Sequence, residues 1–472
     1  MTKEELNLLI SKHNGSIIAP AGHGKTEMIT DIVIASEGKQ LLLTHTNAGV
    51  NALKKRLKKK NIKSSKYNIL TIAAFCIRWC MAYKRTAGLP DFNGFDNVDY
   101  DGLYHAAKKI FENEWAGEIL KKTYSSVIVD EYQDCTLDQH SLVVALNAFL
   151  PVYVLGDPLQ GIFDWKKKGA PQIQIVDWEN IEFEKVEVHT EPWRWKKTNP
   201  ELGEYLSQVR ELLLPALRQE KVEVSIVPEG DYLSVITPEQ FDRNQYKINK
   251  AYNSILYIIK LEHKQLSVCQ RQAWRFQYDE TQELNDLFLF AKRFEHNNGY
   301  KRAVAVLEFL YSCSTKVSTE LKSYHDNLTK GKNNFDRIKK HKELAEPLQA
   351  ICNSLDYQAI MYVLRWVKNC PDSKIYRKEL HTEMIRSIIY ATEHEYSLSE
   401  AAKQIRLNPG LRKEYDFKCL SSRTLLSKGL EFDCVLVDMT DPPRAKDFYV
   451  ALTRARYEVI LISNVDRFVL DC

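Results

Sequence analysis

A short loop rich in small residues precedes a lysine and a threonine near the start of the chain. It reads Ala19-Pro20-Ala21-Gly22-His23-Gly24-Lys25-Thr26. A loop of this kind between a strand and a helix points backbone N–H groups at phosphate oxygens, and the helix N-terminus adds positive potential. We therefore predict that the backbone of residues 21–24 holds phosphates, that Lys25 reaches the β- and γ-phosphates, and that the Thr26 hydroxyl binds Mg²⁺. Because Ala19 replaces the usual first glycine, a Gly-rich turn with a surface lysine is the alternative interpretation of this loop taken alone.

A second cluster of chemically active side chains follows an apolar run. It reads Val127-Ile128-Val129-Asp130-Glu131-Tyr132-Gln133-Asp134. Acids at the carboxyl end of a buried strand lie at the sheet edge where open α/β proteins bind ligands. Asp130 is suited to hold Mg²⁺ through water, and Glu131 to orient and deprotonate an attacking water. A solvated acidic turn is the alternative, but the apolar strand and the upstream Lys25 loop together favour nucleotide hydrolysis.

Both clusters need a parallel sheet to bring them to one edge. In the first 190 residues, short β-rich runs alternate with helical stretches, as in a doubly wound α/β domain. The strands that we expect are Gly15–Ala19, Gln40–Leu43, Asn68–Ile72, Ser125–Val129 and Val152–Leu155. The segment from Met81 to Lys122 interrupts this rhythm and resembles a small inserted subdomain.

The rest of the chain indicates a second α/β domain that is split by helices. Weaker strand signals cover 222–236 and 254–259, although 252–260 is also compatible with a helix. Residues 276–413 follow a helical period, carry no phosphate-binding motif and are interpreted as a scaffold. Strand character returns at Lys418–Leu426, Cys434–Asp438 and Val459–Ser463.

Composition limits the class of protein. The 472 residues are 44% hydrophobic and 27% charged, which is typical of a soluble globular protein of several structural units. The net charge of +4 is too small to identify a nucleic-acid binder by itself. The ten cysteines lack paired C-x-x-C spacing, and the sequence shows no signal peptide and no membrane span. We therefore expect free thiols and a cytoplasmic location.

Further motifs occur in the order that is found in UvrD/Rep/PcrA-like helicases, and the chain resembles that family. The matching segments are Asp130–Asp134, Leu43–Ala48, Leu70–Phe75, Leu155–Trp165, Trp193-Arg194, Lys428–Phe432 and Tyr449–Ala455. His45 stands where the family usually has phenylalanine. The motifs run from residue 19 to residue 455, and only the helical stretch within 276–413 has no recognisable counterpart.

The resemblance implies a role for each matching residue. Gln160 would sense the γ-phosphate, while Arg194 and Arg454 would act as arginine fingers that stabilise the transition state. Glu431, in the segment that includes Gly429, would accept a hydrogen bond from the ribose. Trp193 would stack on the adenine, although the family's adenine-reading glutamine motif is missing because residues 1–26 contain no glutamine.

A single-stranded nucleic acid, DNA in preference to RNA, is the implied substrate. Tracks for single strands combine aromatic faces with a basic groove. The residues that would contact the strand are Thr46, Asn47, Thr71, Phe163, Trp165 and Lys166. Phe163 has an equally good interpretation as a core residue. The basic run at 54–60 fits a solvated helix end better than a strand contact.

The implied fold is α/β, with two RecA-like P-loop domains, a small insertion in the first and a larger, mostly helical insertion in the second. The first domain would contain residues 1–80 and 123–190, with the inserted subdomain at 81–122. The second would contain residues 191–275 and 414–472, with the helical insertion at 276–413.

The function that we expect is an ATP- and Mg²⁺-dependent translocase or helicase on single-stranded DNA, with 3′ to 5′ polarity by family resemblance, acting in DNA repair or anti-phage defence. A compact chain of this kind is also similar to the helicase-like subunit of anti-phage systems such as Gabija, which implies a separate nuclease as partner. The main alternative is a DNA-stimulated sensor ATPase that controls a nuclease and unwinds little. A small-molecule P-loop kinase and an inactive binding module agree less well with the motifs.

Overall fold

The structure, a computed structural model, describes residues 1–91, 100–163, 174–225, 230–281, 284–407, 411, 413 and 415–472. The chain divides into two compact units. The first unit contains Met1–Pro238, Ser427–Cys434 and Met439–Cys472, and the second contains Glu239–Leu426 and Val435–Asp438. The domain boundaries expected from the sequence remain a prediction.

A parallel sheet forms the centre of the first unit. Among the described residues its strands are β1 (Asn14–Ile18), β2 (Gln40–Thr44), β3 (Tyr67–Thr71), β4 (Ser126–Val129) and β5 (Val152–Gly156), in the spatial order β1-β5-β4-β2-β3. All neighbours in this sheet are parallel. The inner strands β2, β4 and β5 are buried along their whole length, as in a sheet that helices cover on both faces. The five predicted strands are therefore confirmed to within one residue at each end.

Helices cover both faces of this sheet, and alternate side chains of one strand enter different cores. On β2, Leu41 and Leu43 pack into one hydrophobic cluster and Leu42 into the other. The helices of this part are α1 (Lys3–Ser11), α2 (Lys25–Ala35), α3 (Asn47–Lys59), α4 (Ile72–Ala82), α5 (Lys84–Ala87), α6 (Tyr100–Phe111), α7 (Glu114–Thr123), α8 (Leu137–Asn147), α9 (Trp193–Lys196) and α10 (Pro200–Leu213). Two strands follow, β6 (Val222–Ser225) and β7 (Leu233–Ile236).

The second unit combines a small parallel sheet with a helical core. Strand β10 (Cys419–Ser422) pairs in parallel with β8 (Ile255–Ile258) and with β9 (Gln277–Tyr278). The alternative of a helix across 252–260 is therefore wrong. The helices are α11 (Pro238–Ala251), α12 (Glu262–Arg271), α13 (Asn285–His296), α14 (Tyr300–Cys313), α15 (Val317–Glu320), α16 (Lys322–Thr329), α17 (Ala345–Asn353), α18 (Tyr357–Trp366), α19 (Lys378–His394), α20 (Leu398–Leu407) and α21 (Thr424–Ser427). Helices α13–α20 enclose one large apolar cluster.

The last segment returns to the first unit. It contains α22 (Ala445–Leu452), β12 (Ala455–Ile462) and β13 (Arg467–Leu470), whereas the preceding strand β11 (Phe432–Asp438) is divided between the two units after Cys434. Strand β12 pairs in parallel with β7, whereas β13 pairs antiparallel with β6. The chain thus has the mixed α/β architecture with parallel sheets that the sequence predicts. In the part of the chain that the structure describes, no helix has both the length and the apolar character needed to cross a membrane.

Candidate active site

The predicted phosphate-binding loop lies between β1 and α2. Gly22 and Gly24 have φ angles of +72° and +84°, a region that residues with a Cβ adopt at a cost. A Cβ on Gly22 would lie only 2.5 Å from the Trp195 ring, so the loop is also closely packed. Helix α2 begins at Lys25, and its first N–H groups have no partner within the helix. This cradle fits a chain of phosphates.

Lys25 connects the loop to the acidic cluster that follows β4. Its Nζ forms an ion pair with Glu131 and lies 3.6 Å from Asp130 Oδ1. Burial by itself would raise the pKa of Glu131, but Lys25 and Lys428 outweigh burial and hold that pKa below its usual value. Burial raises the pKa of Asp130 to about 6, against the opposing effect of Lys25. A divalent cation beside Asp130 would favour the ionised carboxylate.

Thr26 and Asp130 supply the oxygen ligands that Mg²⁺ prefers. Among the described residues, no group of three or more His, Cys, Asp or Glu side chains is arranged to hold a metal ion. Mg²⁺ in phosphate-binding sites keeps several waters and takes phosphate oxygens as ligands, so one or two protein oxygens are enough. The donor set therefore fits a cation that arrives with a nucleotide.

Gln160 lies at the centre of a buried hydrogen-bond network. Its Oε1 accepts from Arg454 Nη2 at 3.2 Å, and its Nε2 donates to Asp157 Oδ2 at 3.2 Å. Asp157 also accepts from the Ala21 backbone N–H at 3.2 Å, which links the network to the phosphate loop. Burial and the nearby Arg194 lower the pKa of Arg454 to about 10, so its guanidinium remains protonated at neutral pH.

Arg194 joins the phosphate loop to the C-terminal motifs. Its backbone N–H donates to the Gly22 carbonyl at 3.1 Å. Its Nη2 lies 2.7 Å from Glu431 Oε1, and its Nη1 donates to the Thr453 carbonyl. Gly429, two residues before Glu431, has a φ angle of +83°. The structure therefore brings the two predicted arginine fingers and the predicted ribose contact into the same unit as Lys25.

An exposed aromatic side chain lies beside the loop, and a histidine lies within it. Trp193 is 53% exposed, and its Cδ1 would lie 3.2 Å from a Cβ on Gly24. Lys196 Nζ lies 4.4 Å from the centroid of this indole ring. Stacking of a base on Trp193 remains a prediction. His23 Nδ1 lies 3.0 Å from Thr190 Oγ1, and burial lowers the pKa of His23 to about 4.

The predicted strand contacts occupy several loops of the first unit. Thr46 caps α3 by accepting from Gly49 N–H at 3.0 Å, and Thr71 caps α4 by accepting from Ala74 N–H at 3.0 Å. Asn47 begins α3. Each threonine thus has a structural role at the carboxyl end of its strand. Thr46 follows β2, the neighbour of β4, whereas Thr71 ends the edge strand β3.

Of the two aromatic residues predicted to contact the strand, Phe163 and Trp165, the structure describes only Phe163. Phe163 is half-buried, and Lys428 Nζ lies 5.4 Å from its ring centroid. Trp165 and Lys166 lie outside the described residues. In the basic run at 54–60, Arg56 and Lys60 form ion pairs with Glu27, which agrees with its interpretation as a helix end.

Several functional candidates were missed from the sequence. Lys428 Nζ donates to Asp134 and to the Gln160 carbonyl, the latter at 2.7 Å, and lies 3.8 Å from Glu131 Oε2. Both Lys428 and Asp134 lie in segments that match the family motifs. Their position in these motifs was the sequence signal that could have identified them as candidates. Arg210 on α10, which donates to Asp157 Oδ1 at 3.3 Å, carried no local signal.

Comparison with known families agrees with this geometry. The family of UvrD/REP helicase N-terminal domains matches residues 2–97 and 91–177, the part that contains the phosphate loop, the acidic cluster and Gln160. Residues 2–177, less than half of the chain, are thus similar to the N-terminal domains of UvrD/REP helicases. The matched segment includes all five strands of the first sheet.

Two characterised proteins match shorter stretches of the UvrD/REP-like chain. Gabija protein GajB of Bacillus cereus (strain VD045) is 35% identical over 77 residues, which are 14% of this chain and 16% of GajB. An ATP-dependent helicase/nuclease subunit of Alkaliphilus oremlandii (strain OhILAs) is 29% identical over 69 residues, 15% of this chain and 6% of that protein. The matches thus span small fractions of both relatives.

Proposed function

We propose that this protein hydrolyses ATP with Mg²⁺ and uses the energy to move along single-stranded DNA. One observation carries the proposal: a continuous series of contacts leads from Lys25 through Glu131, Lys428 and Gln160 to Arg454. Such an arrangement unites a phosphate lysine, an acid that can activate water and an arginine that can stabilise developing charge. The series lies within one compact unit.

Each group has a defined task in the proposed reaction. The loop before α2 and Lys25 hold the β- and γ-phosphates, and Thr26 and Asp130 are the residues that would hold Mg²⁺. That ion would neutralise charge on the phosphates. Glu131 orients the attacking water and accepts its proton. Arg194 and Arg454 stabilise the charge that develops on the transferred phosphoryl group.

Movement along a strand would follow from the links between this site and the predicted strand contacts. Lys428 contacts both the acidic cluster and Phe163, so a change at the phosphates can alter the aromatic contact. We further propose 3′ to 5′ polarity, two RecA-like domains with the insertions given above, and a cytoplasmic role. The two relatives are a Gabija protein and a helicase/nuclease subunit, and this similarity supports anti-phage defence and a nuclease partner as part of the proposal.

Variants of Lys25 and Glu131 test the proposal. We expect Lys25→Ala and Glu131→Gln to lower the rate of DNA-stimulated ATP hydrolysis by roughly 10²–10⁴-fold, because each removes a group that acts in the transition state. A matched control is the exposed ion pair of Lys121 and Glu118 on α7, 3.4 Å apart, replaced as Lys121→Ala and Glu118→Gln. Full ATPase activity in either site variant would refute the assignment of Lys25 and Glu131 to the hydrolytic site. An ATPase rate that single-stranded DNA leaves unchanged would refute the proposed movement along DNA.

A further inference from the structure

Helix α10 presents a charged side chain from its buried face. Pro200 begins the helix, and the Asn199 side chain caps it by accepting from the Leu202 N–H at 3.2 Å. Arg210 follows Leu206 by four residues, so the two side chains share one face of the helix. Leu206 is buried, and the side chain of Arg210 is only 13% exposed. An arginine in this place needs a partner within the protein.

The partner of Arg210 is Asp157, which directly follows β5. Arg210 Nη2 donates to Asp157 Oδ1 at 3.3 Å, and the side chain of Asp157 is 0% exposed. Among the described residues, no other cation lies within ion-pair distance of Asp157. His23, whose pKa burial lowers to about 4, is neutral and adds no charge. Arg210 is therefore the group that balances this buried carboxylate.

Asp157 uses both of its oxygens as acceptors. Oδ1 also accepts from the Leu159 N–H at 3.3 Å, and Oδ2 accepts from the Ala21 N–H and from Gln160 Nε2, both at 3.2 Å. One carboxylate thus joins α10 to the phosphate loop and to Gln160. A carboxylate accepts at every lone pair only while it is ionised, because a protonated carboxyl group donates from one oxygen. The positive charge of Arg210 stabilises the ionised form.

The ionised acceptor determines which end of the Gln160 side chain faces Arg454. Gln160 Nε2 donates to Asp157, so Oε1 is left to accept from Arg454 Nη2, at 3.2 Å. Arginine only donates and an ionised carboxylate only accepts, so the reverse orientation of the amide would lose both bonds. The buried amide therefore has one favoured orientation as long as Asp157 is charged.

Arg210 itself stays protonated. Burial opposes its charge, but the Asp157 carboxylate outweighs burial and raises the pKa of Arg210 above its usual value. The Nε of Arg210 is buried and has no hydrogen-bond partner among the described residues, so a single nitrogen, Nη2, carries the contact with Asp157. A lysine at this position would keep the charge and would lack the unpaired N–H.

We propose that Arg210 is a positioning residue: it balances the charge of Asp157 and, through that carboxylate, holds the Gln160 amide toward Arg454. This role rests on the proposed ATP hydrolysis, in which Gln160 and Arg454 act at the γ-phosphate. It adds to the site a residue that lies outside the recognised motifs and acts through Asp157 rather than on the nucleotide.

Two substitutions of Arg210 test the role of its charge. We expect Arg210→Met to lower kcat for ATP hydrolysis roughly tenfold, with KM for ATP changed by less than about threefold, because Gln160 loses its fixed orientation and Lys25 is unaffected. Arg210→Lys should keep kcat within roughly threefold of the wild type, since the contact uses one nitrogen and lysine retains the charge. The matched control is Arg218→Met, which removes an exposed arginine that pairs with Glu220 at 3.0 Å and should leave kcat unchanged. An unchanged kcat in Arg210→Met, or equal losses in both Arg210 variants, would overturn the inference.

A double variant separates positioning from general support of the fold. If Arg210 acts through Gln160, its removal changes little once Gln160 is gone. Arg210→Met combined with Gln160→Ala should therefore match the kcat of Gln160→Ala to within about twofold. A purely structural contribution would instead multiply the two losses, and that result would also contradict the positioning role.

Thermal melts test the ion pair without reference to ATP hydrolysis. Arg210→Met leaves the buried Asp157 carboxylate without its cation, and we expect the melting temperature to fall by about 3 °C or more. Asp157→Asn in the same background removes the uncompensated charge and should recover most of that loss. The absence of any recovery would show that Arg210 does not balance Asp157 and would end the inference. Active Lys25→Ala and Glu131→Gln variants would instead defeat the proposed function and leave the melting result standing.

Discussion

Arg454 shows how a single side chain joins distant motifs. It is 3% exposed, and its guanidinium donates to Gln160, to the Thr453 hydroxyl at 3.0 Å and to the Val450 carbonyl at 3.0 Å. A buried guanidinium that bonds through several of its donors has a fixed direction, which an amine on a flexible chain cannot reproduce. The chemistry proposed for this residue therefore depends on geometry as much as on charge.

Substitution of Arg454 should separate geometry from charge. We expect Arg454→Ala to lower kcat by about 10³-fold, and Arg454→Lys to recover only a small part of that loss, because lysine keeps the charge without the planar fork. The neighbouring Arg456, whose Nη1 lies 3.6 Å from Asp433, provides the control variants Arg456→Ala and Arg456→Lys. Steady-state ATPase assays with thermal melts of each variant give the comparison. Near-complete recovery in Arg454→Lys would contradict the geometric role.

At the scale of elements, the sequence predicts those strands and helices whose hydrophobic pattern is local and long enough to recognise. The strands β1–β5 are apolar runs between turn residues, so their positions followed from hydrophobic pattern alone. Strand β13 was missed because its alternately exposed and buried residues, Arg467–Leu470, form too short a pattern to stand out. Its pairing with β6 is a contact between distant parts of the sequence, which carries no local signal.

The candidate site follows the same rule. The motifs predict that Lys25, Asp130 and Gln160 take part in the chemistry, since each belongs to a short segment with its own signature. The partnership of Lys428 with Asp134 joins residues 294 positions apart, and only the folded chain shows it. The sequence therefore indicates the candidate side chains, but not the hydrogen bonds and ion pairs that connect them.

Two glycines with similar backbone angles test the packing of the phosphate loop against α9. Gly22 and Gly88 both have a φ angle of +72°, but a Cβ on Gly22 would meet Trp195, whereas a Cβ on Gly88 would meet nothing within 4 Å. We expect Gly22→Ala to weaken binding of a non-hydrolysable ATP analogue by at least about tenfold, because the loop must move away from the indole. Gly88→Ala carries the backbone strain alone and should leave this affinity unchanged. Equal affinities for the two variants would show that the contact with Trp195 is unimportant for the loop.

For the whole molecule, the open question is whether hydrolysis drives movement or signals to a partner. The contacts of Lys428 link the acidic cluster to Phe163, so the proposed strand binding and the proposed hydrolysis would share a residue. Binding that neutralises several DNA phosphates weakens steeply as salt rises, so comparisons need one fixed ionic strength.

Strand displacement on tailed duplexes decides between these roles. We expect ATP-dependent displacement from a duplex with a 3′ single-stranded tail, and none from a duplex with a 5′ tail, because the proposed polarity is 3′ to 5′. Lys25→Ala should displace neither substrate. DNA-stimulated ATPase activity without displacement of either duplex would instead favour a sensor ATPase that regulates a nuclease.

The first unit is assembled from segments that the second unit separates in sequence. The contact between Arg454 and Gln160 closes over 294 positions, and Lys428 reaches Gln160 over 268. During synthesis the ribosome must therefore have made the chain beyond Arg454 before both contacts can form. A chain terminated before Lys428 would contain the phosphate loop but lack Lys428 and Arg454. If the proposed function is correct, such a fragment is expected to bind nucleotide without hydrolysing it.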